Sequence, residues 1–139
     1  MLARLKYYFR FDGRLPRSRY WIMTIRCIMA FWVLIMICIA LAPNFRILAL
    51  ALAISTYIAT CIVTWSLMAR RLHDIGLSAL WLILIFATQI IAQLLLDDEF
   101  YQSSLMAISF ALFSTVSFLV LALLKGNNGS NKFGPDPLD

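Results

Sequence analysis

His73 and Asp74 are the residues whose types most directly suggest catalysis, because they place an imidazole next to a carboxylate. Such a pair can act as acid and base near neutral pH. The chain holds one histidine, which argues against a multi-histidine metal site, and the pair lacks a nucleophile and a third, orienting group. Asp74 or Ser78 is better suited to cap a following helix, with Gly76 in the turn. We therefore predict no catalytic residue, no metal site and no cofactor.

Arginine and aromatic side chains from three separate stretches suggest a second chemistry, the recognition of anions. Guanidinium forks match phosphate oxygens, and nearby aromatic rings suit a membrane interface. The tail after residue 124 is rich in Gly and Asn, so its amides can form an anion-binding nest, although it lacks the spacing of a P-loop. The predicted binding residues are Arg14, Arg17, Tyr20, Trp21, Arg70, Arg71, His73, Asp74, Lys125, Asn131, Lys132 and Phe133.

The elements that must position these residues are long apolar segments. Hydrophobic residues make up 63% of the 139-residue chain and charged residues 14%, against roughly 45–50% and 25% in a soluble domain. Four apolar segments occupy residues 21–42, 47–69, 77–96 and 105–124. As a helix, residues 47–69 span about 35 Å, enough for a hydrocarbon core of ~30 Å. We predict an all-α membrane protein with four transmembrane helices in a single domain.

The two ends of the chain are polar and basic. Residues 1–20 carry Leu2, Leu5 and Phe9 at helical spacing among basic residues, which predicts a short amphipathic helix lying in the membrane interface. The helix is expected to end near Asp12-Gly13, and Pro16 fits the first turn of the next helix. Residues 125–139 form a tail whose Phe133-Gly134-Pro135 sequence is typical of a defined turn.

The distribution of Lys and Arg predicts the orientation of the helices. Ten of these residues flank the apolar segments on one side, and Arg46 alone flanks them on the other. Because the more basic side is normally cytoplasmic, we expect both termini and the loop at residues 70–76 in the cytoplasm. Arg26, inside the first apolar segment, can extend back to that interface.

Ten basic residues on one side are more than topology requires. The excess favours recognition of an anionic ligand, either a lipid head group or an acidic partner protein, and no nucleic acid is expected. The alternative is that these residues set topology and form internal ion pairs with Asp12, Asp74 and Asp136. Association with a second copy of the chain, or with another membrane protein, is a further alternative, because four helices bury limited surface, although no sustained seam of small residues indicates it.

Polar residues within the apolar segments are uncharged apart from Arg26. Thr56, Thr60 and Thr64 recur every four residues, as do Gln89 and Gln93, so each set lies along one helix face. These groups favour hydrogen bonds between helices, and a hydrophilic path through the bundle is the alternative. The absence of a carboxylate or histidine from these segments argues against a proton-coupled transporter.

The sequence resembles the domain of unknown function 805 family. The similarity rests on three motifs in order, which are Phe11-x-Gly13-Arg14-x-x-Arg17-x-x-Tyr20-Trp21, Arg70-Arg71-Leu72-His73-Asp74-Ile75-Gly76, and Lys125-Gly126 with Asn131-Lys132-Phe133-Gly134-Pro135-Asp136-Pro137. The resemblance implies a small multi-pass protein of the bacterial inner membrane, and it brings no activity, substrate or cofactor with it. One departure is Trp81, which lies slightly further from the Asp74-Ile75-Gly76 turn than the aromatic residue of the family pattern.

Three functions follow from this sequence, in decreasing order of preference. The first is a non-enzymatic binding or accessory module whose cytoplasmic Arg and aromatic cluster engages anionic lipid or an acidic partner. The second is a small transporter or flippase that moves an amphiphile along the Thr and Gln faces. The third is an interfacial enzyme acting on a phosphorylated lipid, with His73 and Asp74 as acid and base.

Overall fold

Two long helices dominate the computed structural model, which describes residues 6–84, 86–87, 108–109, 112, 115–116 and 119–137. Helix α1 spans Arg17–Leu41 and helix α2 spans Arg46–Asp74. Shorter described stretches at 80–84 and 119–123 are also helical. Across all these ranges the only β feature is an isolated bridge between Asn131 and Gly134, so the described fold is helical.

Helix α1 begins in the basic segment, before the first apolar run. Pro16 precedes it in an extended conformation, with φ −68° and ψ 154°, and a proline placed here costs no helical hydrogen bond. The helix ends at Leu41, just before the Pro43-Asn44 turn that leads into α2. Its 25 residues give a length of about 37 Å at helical rise.

Helix α2 continues beyond the apolar segment 47–69, through Arg70 and Arg71 to Asp74. Gly76 ends it in the left-handed region at φ +82°, and the Leu77 N–H donates to the Leu72 carbonyl at 2.9 Å. This is the usual arrangement for a glycine that terminates a helix. The extra turn of α2 carries its charged side chains into the packed end of the molecule.

Both helices are long and apolar enough to cross a membrane. The most apolar 18-residue windows of α1 and α2 have mean hydropathies of 2.5 and 2.2, and only 17% and 11% of these windows are buried. Large apolar side chains such as Met29, Trp32 and Ile47 face outward. Outward-facing apolar surface of this extent is expected where the surroundings are lipid.

The packed core lies at one end of the helix pair. Leu15, Tyr20, Leu67 and Ala122 are each at most 1% exposed and belong to one cluster. This cluster joins the start of α1, the last third of α2 and the helical residues after 119. Because it gathers distant parts of the sequence, it fixes the loops that carry the predicted binding residues.

Three predicted elements lie partly outside the described residues. Residues 6–8 form a helical turn, with the Phe9 N–H donating to the Lys6 carbonyl at 3.1 Å, whereas Leu2 and Leu5 lie outside the described residues. About half of the residues in the predicted segments 77–96 and 105–124 also lie outside them. Four spans therefore remain a prediction, and two membrane-type helices are observed.

Candidate functional site

Asp74, in the last turn of α2, lies between two buried arginines. Arg14 Nε donates to its Oδ1 at 3.1 Å, and Arg71 Nη1 donates to its Oδ2. The side chains of Arg14, Arg71 and Asp74 are 1%, 0% and 4% exposed. A buried carboxylate or guanidinium is tolerated only when its charge and its hydrogen-bonding groups are satisfied. We refer to Arg14, Arg71 and Asp74 as the buried triad.

The guanidinium of Arg71 also binds the backbone of two other segments. It donates to the carbonyl of Leu121 at 2.8 Å and to that of Leu15 at 3.3 Å, and it reaches the Leu124 carbonyl as well. A guanidinium offers five N–H donors in a planar fork, so one side chain can serve several acceptors. Arg71 thereby fastens the segment before α1 and the end of the chain's last helical stretch to α2.

Arg14 makes the corresponding connection to the C-terminal tail. Its two terminal nitrogens donate to the backbone carbonyls of Asn127 and Gly129, while Nε holds Asp74. The Asn127 N–H in turn donates to the Asp74 carbonyl at 2.9 Å. The buried triad therefore ties together residues that lie more than 100 positions apart, from Arg14 to Gly129.

Gly126 lets the tail pass directly over the triad. A Cβ atom built on Gly126 would lie 2.1 Å from Asp74 Oδ2 and 2.8 Å from its Cγ. No side chain fits at that separation, so the residue type is set by the close approach of backbone to carboxylate. The sequence-based site omitted Gly126, and its only signal was its place in the Lys125-Gly126 pair of the third motif.

His73 holds the tail by its ring and by its backbone. Its imidazole stacks on Phe133 with ring centroids 4.0 Å apart and planes 9° apart, and its carbonyl accepts a hydrogen bond from Asn131 Nδ2 at 2.9 Å. The Nδ1 atom lies 3.1 Å from the Gly13 carbonyl. Because a carbonyl only accepts, Nδ1 must carry the proton in this contact. These contacts give His73 a positioning role in the described structure.

Arg70 is equally buried but has different partners. Its guanidinium lies over the Tyr7 ring, 4.7 Å from the centroid, and within 3.4 Å of Ser66. The Ser66 hydroxyl donates to the Arg10 carbonyl, and the Arg70 carbonyl accepts from the Leu15 N–H at 3.1 Å. Arg70 therefore anchors the N-terminal segment and does not face solvent.

The other predicted binding residues separate into buried and exposed groups. Tyr20 is 1% exposed within the core, and Trp21 Nε1 donates to the Ala122 carbonyl at 3.2 Å. Arg17, Lys125 and Lys132 are exposed. Lys132 Nζ lies 5.0 Å from the Phe133 ring centroid. The structure thus brings Arg14, Arg71, His73, Asp74, Asn131 and Phe133 together and leaves three cations on the surface around them.

The three carboxylates considered as internal partners behave differently. Asp74 forms the buried triad, whereas Asp12 pairs with Arg10 on the surface, and this guanidinium lowers the Asp12 pKa from 3.8 to about 2. Asp136 Oδ2 accepts the Gly129 N–H at 2.7 Å and so shapes the tail. Internal ion pairing therefore accounts for two of the predicted binding arginines, Arg14 and Arg71.

Polar groups along the helices make local contacts and one contact between helices. Thr60 Oγ1 donates to the Thr56 carbonyl at 2.8 Å, within α2, which corrects the expected hydrogen bond to another helix. Thr64 of α2 lies near the Cys27 thiol of α1. Gln89 and Gln93 lie outside the described residues.

The described residues contain no group of three or more His, Cys, Asp or Glu placed to hold a metal ion. These residues define a protein with membrane-type helices. At one end of the helices, a network of buried arginine and aspartate side chains holds the connecting segments together. A profile of the family described as "Protein of unknown function (DUF805)" matches residues 8–135, nearly the whole chain, and the chain belongs to that family. No curated protein and no solved structure matches the chain significantly.

Proposed function

We propose that this protein is a non-enzymatic binding or accessory module of the membrane, whose exposed basic residues engage anionic lipid head groups. The supporting observation is the contrast between the buried triad and the cations around it. Arg17, Lys125 and Lys132 are exposed, and no carboxylate of the described residues lies within 4.0 Å of any of them. Such cations are available to a ligand, whereas Arg14 and Arg71 are not.

The buried triad adds to the positive potential at this surface. It contains two guanidinium groups and one carboxylate, and Arg17 is near enough to Arg71 to repel it electrostatically. An uncompensated positive region attracts anionic head groups, at about 1 kcal/mol for each basic residue near the leaflet. Phosphate oxygens are suitable acceptors for both guanidinium and ammonium groups.

The proposal places this basic end at the cytoplasmic face of a bacterial inner membrane, with four spans and both termini inside. Its support is the ten-to-one distribution of basic residues. Single cysteines introduced at Asp98 and at Lys132, in a chain whose three cysteines are replaced by serine, test it with an impermeant thiol reagent. Labelling of the Asp98 position alone in intact spheroplasts is expected, and labelling of the Lys132 position there would contradict the orientation.

Lipid retention tests the binding function. The Arg17→Gln/Lys125→Gln/Lys132→Gln variant is compared with the natural protein in nanodiscs containing phosphatidylglycerol and phosphatidylcholine, followed by native mass spectrometry. We expect a loss of phosphatidylglycerol adducts with an unchanged unfolding temperature. Arg46→Gln, which removes one charge at the other end of the helix pair, is the control. Equal phosphatidylglycerol retention by the triple variant and the natural protein would refute the proposal.

The same spectra address the other partners. A homo-oligomer would appear as a multiple of the 15.9 kDa chain mass, and an acidic partner protein would appear as an added mass after gentle extraction from the natural membrane. If an oligomer or a partner complex is seen in place of lipid adducts, and is lost in the Arg17→Gln/Lys125→Gln/Lys132→Gln variant, these three residues form a basic surface that binds a protein.

A second candidate function is transport or flipping of an amphiphile. A cavity of about 220 Å³ lies between α1 and α2, and Thr24, Thr60 and Thr64 line it. The buried Thr24 hydroxyl has no hydrogen-bond partner within the described part of the chain. Transport predicts that Thr24→Val and Thr60→Val slow the movement of a fluorescent phospholipid across liposomes. Equal rates in liposomes with and without the protein would remove this candidate.

An interfacial enzyme is the least favoured function. The His73 imidazole is stacked on Phe133, and the Asp74 carboxylate is held by two arginines. Turnover of a phosphorylated lipid that disappears in His73→Ala, but survives in Phe133→Ala, would support catalysis.

A further inference from the structure

A groove runs along one side of the helix pair near the basic end. It has a volume of about 340 Å³, and Cys27, Phe31, Thr56, Ala59 and Val63 are among the residues that line it. Most of these groups are apolar. The Thr60 hydroxyl, which also lines the groove, donates its hydrogen bond to the Thr56 carbonyl within α2. A lining of this kind suits an extended hydrocarbon chain and offers little to a soluble polar ligand.

Two arginines and two tyrosines lie at the mouth of this groove. Arg26 and Tyr8 line the groove, and both also line an adjoining pocket of about 360 Å³ together with Tyr7 and Arg19. Arg19 and Arg26 are seven residues apart on α1, so they share one helix face about 10 Å apart along the axis. The groove and the pocket therefore form one continuous site with an apolar floor and a cationic rim.

The cations of this rim are available. Both Arg19 and Arg26 are exposed, and within the described ranges no carboxylate lies within 4.0 Å of either one. Tyr7 and Tyr8 are partly buried against the hydrophobic core, which fixes their rings beside the two arginines. Arg26 lies more than two helical turns into α1, deeper than the basic residues of the loops.

The later part of the chain, where it is described, packs on another side of the helix pair. Phe86 stacks on Trp65 with ring centroids 4.8 Å apart, and Ala122 accepts the Trp21 indole N–H. Phe86 and Trp65 line the threonine-lined cavity, which shares Phe31 and Thr60 with the groove, whereas neither Phe86 nor Trp65 lines the groove below Arg26. On the groove side, Leu34 is 45% exposed.

We propose that this groove binds one anionic phospholipid, with the phosphate held by Arg19 and Arg26 and one acyl chain lying along Cys27, Phe31 and Val63. Charge complementarity selects this occupant, because two unpaired guanidinium groups at the end of an apolar groove match a phosphodiester attached to a hydrocarbon chain. The tyrosine hydroxyls supply further donors at the depth where aromatic residues meet head groups. The site rests on the proposed membrane function and uses residues other than Arg17, Lys125 and Lys132.

The test compares lipid retention by four proteins in nanodiscs of phosphatidylglycerol and phosphatidylcholine. These are the natural chain, Arg19→Gln/Arg26→Gln, the groove-filling variant Ala59→Leu, and the control Arg46→Gln. The natural Arg46 side chain lines an apolar groove at the other end of the helix pair. In native mass spectra the natural chain should keep one phosphatidylglycerol after weaker adducts are stripped. The double variant should retain it about 25-fold less, about fivefold for each arginine removed.

The other two variants separate the contribution of the head group to lipid retention from that of the acyl chain. Ala59→Leu keeps both arginines and should still lose the retained lipid, whereas Arg46→Gln should keep it. An unchanged unfolding temperature for each variant shows that lipid loss does not come from misfolding. Retention of this phosphatidylglycerol by either Arg19→Gln/Arg26→Gln or Ala59→Leu would overturn the proposal.

The outcome also distinguishes this site from the basic surface. If the Arg17, Lys125 and Lys132 variant loses lipid while the Arg19 and Arg26 variant does not, the proposed function stands and the groove site is wrong. If the natural chain shows no preference for phosphatidylglycerol over phosphatidylcholine, both fail. A lipid-free dimer whose formation depends on Arg26 would mean that a second copy of the chain covers the groove.

Discussion

Arg14 and Arg17 lie three positions apart in the chain, yet the structure gives them opposite environments. The whole Arg14 residue, main chain included, is 7% exposed, and its guanidinium is bonded to one carboxylate and two backbone carbonyls, whereas Arg17 is exposed and begins α1. Both belong to the same basic motif, so sequence treats them alike. Their difference shows that a dense cluster of arginines can combine two tasks, closing the fold from within and presenting charge outside.

The same contrast separates the two ends of the helix pair. At the basic end, Leu15, Leu67 and Ala122 are at most 1% exposed, and buried charges connect distant segments. Further along, α1 and α2 expose Met29 and Ile47, to 62% and 85%. Packing and polar contacts therefore concentrate where the predicted binding residues are, and the apolar remainder suits lipid.

The largest effect is expected when the buried triad loses its carboxylate. Asp74→Asn leaves the Arg14 and Arg71 guanidinium groups buried without a counter-charge, and breaking such a pair costs about 3 to 5 kcal/mol. We expect a large fall in the thermal unfolding midpoint in nanodiscs. A midpoint within error of the natural protein would show that the triad does not hold the fold together.

The next largest effect is expected for a substitution at Gly126, where the tail passes directly over the triad. Gly126→Ala would place a Cβ atom 2.1 Å from Asp74 Oδ2, and relieving such an overlap costs about 1 to 3 kcal/mol. Gly129→Ala is the matched control, because it meets no atom within 4 Å and suffers only the strain of its φ of +74°. Thermal unfolding should show the greater loss for Gly126→Ala, and the reverse order would contradict the close approach.

A smaller effect is expected at the stack between His73 and Phe133. Phe133→Ala removes a ring stacked at 4.0 Å, and aromatic pairs contribute about 0.5 to 1.5 kcal/mol beyond their buried area. We expect faster amide hydrogen exchange at Asn127 and Asn131, with little change in α2. Phe9→Ala, which removes a ring that is 42% exposed, should leave that exchange unchanged.

The smallest effect is expected for the ion pair on the surface. Arg10 holds the pKa of the Asp12 carboxyl at about 2, below its usual 3.8, so its contribution is present above pH 3.8 and is lost as the pH falls towards 2. Both side chains are exposed, and water screens the pair. Asp12→Asn should leave the unfolding midpoint at pH 7 unchanged, in contrast to Asp74→Asn, and a comparable fall in both variants would remove the distinction between them.

Much of the helical fold follows from composition and length. The apolar segments at 21–42 and 47–69 correspond to α1 and α2, because runs of that length and hydropathy favour helices in lipid. The ends of the two helices differ from the ends of the apolar segments. Helix α2 continues through Arg70 to Asp74 because the polar groups of these residues bind residues 7 to 15 and the tail. Contacts between such distant parts of the chain cannot be predicted from the local sequence.

The candidate site was predictable in part. Residue type identified His73, Asp74 and the arginines, and the Phe133-Gly134-Pro135 sequence indicated the turn that the Asn131 and Gly134 bridge forms. Which arginines are buried was not predictable, because Arg14 and Arg17 have the same chemistry and differ only in the tertiary contacts around them. The groove below Arg26 likewise depends on how α1 and α2 pack.

One paired substitution tests this division of tasks most directly. Arg14→Gln and Arg17→Gln make the same chemical change three residues apart, and native mass spectrometry with a stepwise increase in activation reads lipid retention and unfolding together. The account predicts that Arg17→Gln keeps its fold and retains fewer phosphatidylglycerol adducts, while Arg14→Gln unfolds at lower activation and its folded fraction retains as many as the natural protein. Equal behaviour of the two variants, in either respect, would contradict it.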